Sequence, residues 1–241
     1  MAASNEKYVV FDIVGTIVSY DKLVEALDNQ LGEKLRAENV KPSLLINLWI
    51  EAAEREYTYL SMTNRYVEFD KLFSSLFYRM LWLSGIPEPR SFATEADIEM
   101  ITKGYFALEP RSNAKECFEK LRGAGFTVRG LTAGDYDRVL SYFTKAGIEF
   151  PKEHLISCDS FGVGKPDLKA YASTFEELKG AQELWFAAAH MWDVSAAKQV
   201  GFKSAYCSVL EKEACVDIFG EMDVMSDSLS QMADLIIKAS S

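Results

Sequence analysis

The 241 residues include 36 acidic and 26 basic side chains, for a net charge of −10, and 49% of them are hydrophobic. That mixture excludes a disordered or fibrous chain, and the negative balance speaks against phosphate-backbone partners, so no nucleic-acid binding is expected. The four cysteines fall at irregular spacings with no C-x-x-C pair; there is no basic segment leading into an apolar one at the start, and no apolar run near the roughly 20 residues that span a bilayer. The expectation is a cytoplasmic protein with free thiols and no membrane partner.

Taken in chain order, residues 8–11 form an apolar strand that ends in Asp12, followed by Ile13-Val14-Gly15-Thr16. Apolar spacing then predicts helices over 18–37, 43–60, 69–84 and 94–106, separated by breakers such as Lys41-Pro42 and Gly85-Ile86-Pro87. From Pro110 onward helices and strands alternate. Helices are expected over 112–124, 136–146, 167–178, 194–200 and 228–239, and strands over 126–131, 154–158, 184–188 and 204–207. This pattern predicts an α/β fold, a doubly wound parallel sheet with an inserted all-helical cap. The expected core is residues 1–17 with 110–241, and the expected cap is 18–109.

In such sheets the chemistry sits at the carboxyl ends of the strands. Those ends carry Asp12, then Thr132-Ala133, then the loop Gly164-Lys165-Pro166-Asp167, then His190-Met191-Trp192-Asp193. A carboxylate can attack an electrophilic carbon or phosphorus to give an ester that water opens. A nearby ammonium keeps that carboxylate ionised, a hydroxyl donates to substrate oxygens, and a second carboxylate positions water or a cation. His190 lies in the same loop as Asp193 and can donate or accept a proton near neutrality, which makes it a candidate base for water.

The order D-x-x-G-T, a strand ending in Thr, G-K-P-D and a strand followed by Asp resembles the haloacid dehalogenase superfamily of hydrolases over nearly the whole chain. Glu56-Tyr57-Thr58-Tyr59-Leu60 and Asn64-Arg65-Tyr66-Val67-Glu68-Phe69 resemble the cap of the type II L-2-haloacid dehalogenases. Ala189-His190-Met191-Trp192-Asp193 is similar to a variant final motif of that branch. The resemblance implies that Asp12 is the nucleophile, that Thr16 bonds to it or to the substrate, and that Thr132 is an oxyanion donor. It further implies that Lys165 pairs with Asp12, Tyr171 lines the site, and Asp193 orients water or supports Lys165. Val14, Tyr57, Phe69, Ala133 and Trp192 fall at substrate-side positions, and a homodimer is implied.

The chain departs from that pattern at several positions. Val14 stands where superfamily phosphatases carry a second Asp as general acid, a role worth about 10²–10⁴-fold. The cap arginine that meets halide and carboxylate in the dehalogenases is replaced by Glu51 or Ile50, depending on the alignment. Arg55 and Arg65 are the candidate substitutes, although Arg55 at i+4 is expected to pair with Glu51 on the helix surface. Ala133, Ala188 and His190 replace further polar positions. The expected function is a hydrolase that attacks a small 2-haloacid-like carbon substrate through an ester on Asp12, with no metal or other cofactor. The alternatives are a weak Mg²⁺-dependent phosphatase using Asp12 and Asp193 as ligands, and a diverged protein that hydrolyses or only binds a bulkier carbon substrate.

Overall fold

A computed structural model describes residues 5–241. Near-continuous apolar runs such as Tyr8-Val9-Val10-Phe11 and Leu184-Trp185-Phe186-Ala187 suit strands covered on both faces, and they form the centre of a six-stranded parallel sheet. The sheet strands are β1 (Lys7–Phe11), β4 (Phe126–Thr132), β5 (Leu155–Ser157), β6 (Glu183–Ala188), β7 (Lys203–Cys207) and β8 (Val224–Ser226). Their order is β5-β4-β1-β6-β7-β8, and β1 lies with Phe11 opposite Gly130 of β4 on one side and Ala187 of β6 on the other. From β1 the order runs outward through β4 to β5, and from β6 it runs the other way, so the reversal of strand order falls at the β1–β6 pair. Asp12 is the residue immediately after β1.

The chain divides into two compact units. One runs to Val18 and resumes over Pro110–Ser241; the other is Ser19–Glu109. The crossings are the short strands β2 (Val18–Ser19) and β3 (Glu109–Pro110), so the helix expected from residue 18 begins instead at Asp21.

The Ser19–Glu109 unit holds α1 (Asp21–Ala37), α2 (Pro42–Met62), α3 (Phe69–Ser75), α4 (Phe77–Leu83), α5 (Pro89–Phe92) and α6 (Glu95–Tyr105). Its interior is aromatic. Trp49 stacks on Phe73 at 4.0 Å and donates its indole N–H to the Phe73 carbonyl, and Tyr105 stacks on the other side of Phe73 at 4.7 Å. The helix expected over 69–84 is in fact two, hinged at Leu76, with no Gly or Pro to announce the break. Ser74 and Ser75 donate their hydroxyls back to the carbonyls of Asp70 and Lys71, a contact that bends helices. Tyr59 and Trp82 of this unit are exposed.

In the other unit the connecting helices are α7 (Ala114–Gly123), α8 (Tyr136–Lys145), α9 (Leu168–Leu178), α10 (Met191–Val200), α11 (Val216–Phe219) and α12 (Leu229–Ala239). Two corrections to the expected elements arise here. Strand β8 and helix α11 are too short to give a periodic signal. Helix α10 begins at Met191 rather than 194, which puts Asp193 in its first turn and His190 at the N-cap. Among the described residues no disulfide forms; Cys117, Cys158 and Cys207 are buried and Cys215 is exposed. Among the described residues, no helix is long and apolar enough to cross a membrane.

Candidate active site

The turn after β1 is built around Asp12. Its backbone N–H donates to the Ala187 carbonyl at 3.0 Å, which continues the β1–β6 ladder one residue beyond the strand. Thr16, four residues on, donates its hydroxyl to Asp12 Oδ2 at 2.7 Å and accepts from the Ala189 N–H at 2.8 Å. One hydroxyl thereby ties the Asp12 turn to the end of β6. Arg111 secures the same turn, with Nη2 on the Gly15 carbonyl at 2.9 Å and Nε on the Thr16 carbonyl at 3.0 Å.

Lys165 is 3% exposed and lies between two carboxylates, 3.0 Å from Asp12 Oδ1 and 2.9 Å from Asp193 Oδ2. Tyr171 of α9 donates its hydroxyl to the other oxygen of Asp193 at 2.5 Å. Burial alone would push the Asp12 carboxyl up, but the Lys165 ammonium, with His190 and Thr16 behind it, outweighs burial and holds it well below the usual carboxylate range. Asp193 goes the other way. Burial raises it, and the Asp12 charge adds to burial against the pull of Lys165. Burial works against the Lys165 cation too, yet its two carboxylates hold the proton on above the ordinary lysine range. Tyr171 is raised well above its ordinary value by burial and by Asp193. At neutral pH, then, Asp12 is an ionised, oriented carboxylate.

His190 is 5% exposed and its Nδ1 stands 3.8 Å from Asp12 Oδ2, while its ring lies 5.2 Å from that of half-buried Trp192. Thr132 ends β4 on the same edge of the sheet; its hydroxyl oxygen accepts from the Gly134 N–H at 3.1 Å and folds the turn over Ala133. Val14 is half-buried within the Asp12 turn.

Arg55, Tyr57 and Phe69 belong to the helical unit. There Tyr57 is buried, edge-on to Phe69 at 5.7 Å, with its hydroxyl 2.9 Å from that of Tyr66. The Arg55–Glu51 pair does not form; Arg55 lies 3.6 Å from Glu56, a carboxylate that also takes Arg79 at 3.1 Å. Glu56 therefore gathers two guanidinium groups, one from its own helix and one from α4.

Three residues of the site framework escaped the sequence reading. Arg111 carries no motif. Ser157 donates to the Gly134 carbonyl at 2.8 Å and so fixes the Thr132 turn. Glu211 lies 20 residues beyond Met191, whose N–H it accepts at 2.9 Å, and only the folded chain brings a carboxylate to the start of α10.

Among the described residues no group of three or more His, Cys, Asp and Glu is arranged to hold a metal ion. The two carboxylates of the phosphatase alternative are bridged by Lys165 Nζ.

An ionised carboxylate at a strand end, fixed by a lysine and a threonine, can perform nucleophilic displacement. The chain belongs to the haloacid dehalogenase-like hydrolases, matching that family over residues 6–201, and it is a hydrolase. It is 25% identical over 236 residues to (S)-2-haloacid dehalogenase 2 of Pseudomonas sp. (strain CBS-3), with 96% of each chain covered. Its fold is that of the L-2-haloacid dehalogenase of Xanthobacter autotrophicus, at a TM-score of 0.76 with 20% identity over 96% of this chain and 98% of that one. A second structure of that enzyme, with chloropropionic acid covalently bound, gives a TM-score of 0.74 at 21% identity, covering 96% of this chain and 98% of that one.

Proposed function

We propose that the protein hydrolyses a small 2-haloacid-like substrate through a covalent ester on Asp12, without a metal ion. The observation that carries this reading is the buried Lys165, which bonds Asp12 and Asp193 at once and leaves Asp12 charged at neutral pH. In the first step an Asp12 oxygen attacks the carbon bearing the halogen, a C–O bond forms, and the halide leaves with the bonding pair. No proton is needed by that leaving group, which agrees with Val14 at the position where a general acid would stand. In the second step water adds to the ester carbonyl of Asp12; the acyl C–O bond breaks, the 2-hydroxy acid departs, and the carboxylate is restored with net release of one proton. Thr16 and Lys165 hold the carboxylate in place through both steps. Thr132 offers its hydroxyl to the substrate, and Trp192 supplies apolar wall.

The test is halide release from L-2-chloropropionate and chloroacetate at neutral pH in EDTA, with Asp12→Asn as control. Release that survives the chelator and is lost in the variant supports the reading. No release from folded wild-type protein contradicts it.

A further inference from the structure

The hydrolytic half of this cycle needs a base for water, and the site offers few. Asp193 is fully buried, with one oxygen taking the Tyr171 hydroxyl and the other the Lys165 ammonium. Both oxygens are thus engaged in holding cationic and phenolic partners, and moving a water proton onto Asp193 would weaken the pairing that orients Lys165. Tyr171 is held protonated by its surroundings. Asp12 is itself the acyl group once esterified. His190 differs from all of these. Its imidazole is pressed against the nucleophile turn, with Cε1 2.7 Å and Nε2 3.3 Å from where a Cβ on Gly15 would stand, and its Nδ1 faces the Asp12 carboxylate at 3.8 Å.

We infer that His190 is the base of the second step: it takes the proton of the water that attacks the Asp12 ester and passes it to the departing 2-hydroxy acid oxygen, while moving no proton in halide displacement. This role rests on the reading above. Three observations and one chemical requirement fit it together. The imidazole Nδ1 stands 3.8 Å from the Asp12 carboxylate. It is fixed in place, between the Gly15 turn and the Trp192 ring. Its position on the N-cap of α10 holds it beside the end of β6, which carries Ala189 and so Thr16. Esterification removes the Asp12 charge, so a base that works only then must be a separate group within reach of the same carbon. The balance is complete: water contributes its oxygen to Asp12 Cγ, one of its protons moves to His190 and then to the alkoxide, and the acyl C–O bond is the one that breaks.

The experiment separates the two steps in one protein. Wild type, His190→Gln and His190→Asn are mixed with L-2-chloropropionate; halide is counted per site in the first seconds, and intact mass is measured on quenched samples. The expected result is one halide per site from each variant, accumulation of protein heavier by one propionate unit on Asp12, and turnover lower by about 10²-fold or more. The halide burst itself reports that the variants are folded. Added imidazole restoring turnover to His190→Ala would support the same role. Variants that turn over as fast as wild type overturn the inference and leave the dehalogenase reading intact, and variants that fold but give no burst overturn it by placing His190 in the first step. A wild-type protein that releases no halide at all overturns both.

Discussion

Gly15 and His190 are in such close contact that a methyl group on the Gly15 Cα would stand 2.7 Å from the imidazole Cε1. Gly15 also has φ +95°, a conformation that side chains other than glycine's adopt only at a cost. Two requirements therefore meet at one residue of the D-x-x-G-T turn, the left-handed backbone and the space for a histidine. Gly15→Ala is expected to destabilise the protein by about 1–3 kcal/mol and to depress turnover by displacing the imidazole. Urea denaturation measures the first, and the double variant with His190→Ala separates the two causes. If the clash contributes, the two substitutions together cost less than the sum of each alone.

Arg111 acts on the same turn from outside the reacting atoms, and it is a positioning residue. With its two bonds to the carbonyls of Gly15 and Thr16 removed, Asp12 loses a fixed direction but not its charge. Arg111→Met is expected to lower kcat by about tenfold or more with KM little changed, and Arg111→Lys to recover part of the loss. Equal changes in kcat and KM for both variants would contradict a positioning role.

Lys165→Met leaves two buried carboxylates facing each other with no cation. Removing one partner of a buried ion pair costs about 3–5 kcal/mol, and activity is expected to vanish. The pH dependence between 7 and 5 should also change. In the wild type the Asp12 carboxyl is held below its ordinary range, so its contribution to stability is present above that range and is lost as the pH falls toward the depressed value. In the variant burial and mutual repulsion raise the pair, the folded state binds more protons than the unfolded one, and stability rises as the pH falls from 7 toward 5. Urea midpoints across that interval for both proteins test this. An unchanged slope would contradict the assignment of Lys165 as the dominant counter-charge.

Tyr171 governs the alkaline side. Its hydroxyl proton is held on in the folded protein well above the ordinary value of about 10. Stability from this group is therefore full below pH 10 and declines as the pH rises toward the raised folded value, by about 1.4 kcal/mol per pH unit for one proton. Tyr171→Phe is expected to lose about 1–3 kcal/mol at neutral pH, because Asp193 loses a donor, and to show a shallower decline between pH 10 and 11. Parallel declines in the two proteins would mean that the phenol does not hold its proton as described.

Much of the fold was legible because its signals are local and periodic. The two-sided burial of β1 and β6 reads directly as apolar runs, and Gly201 after α10 marks a helix end in sequence and structure alike. The hinge at Leu76 was not legible, because serine hydroxyls returning to backbone carbonyls leave no break in apolar spacing. The short β8 depends on pairing with β7, where Ser204 and Asp223 exchange hydrogen bonds across 19 residues. The same contrast divides the site. Asp12, Thr16, Lys165 and Asp193 stand at strand ends and could be named from motif order. Arg111, Ser157 and Glu211 act through contacts that no spacing encodes. The start of α10 at Met191 belongs with these, since the side chain that accepts its first N–H comes from the distant Glu211.

The central claim is that Asp12 itself forms a bond to the substrate, and a single turnover in ¹⁸O-enriched water tests it most directly. With enzyme in excess over L-2-chloropropionate, the released lactate should carry oxygen from the Asp12 carboxylate and no heavy label. The peptide containing Asp12 should gain the label. Heavy oxygen in the first-turnover lactate, with Asp12 unlabelled, would mean that water attacks the substrate directly and would contradict the covalent mechanism.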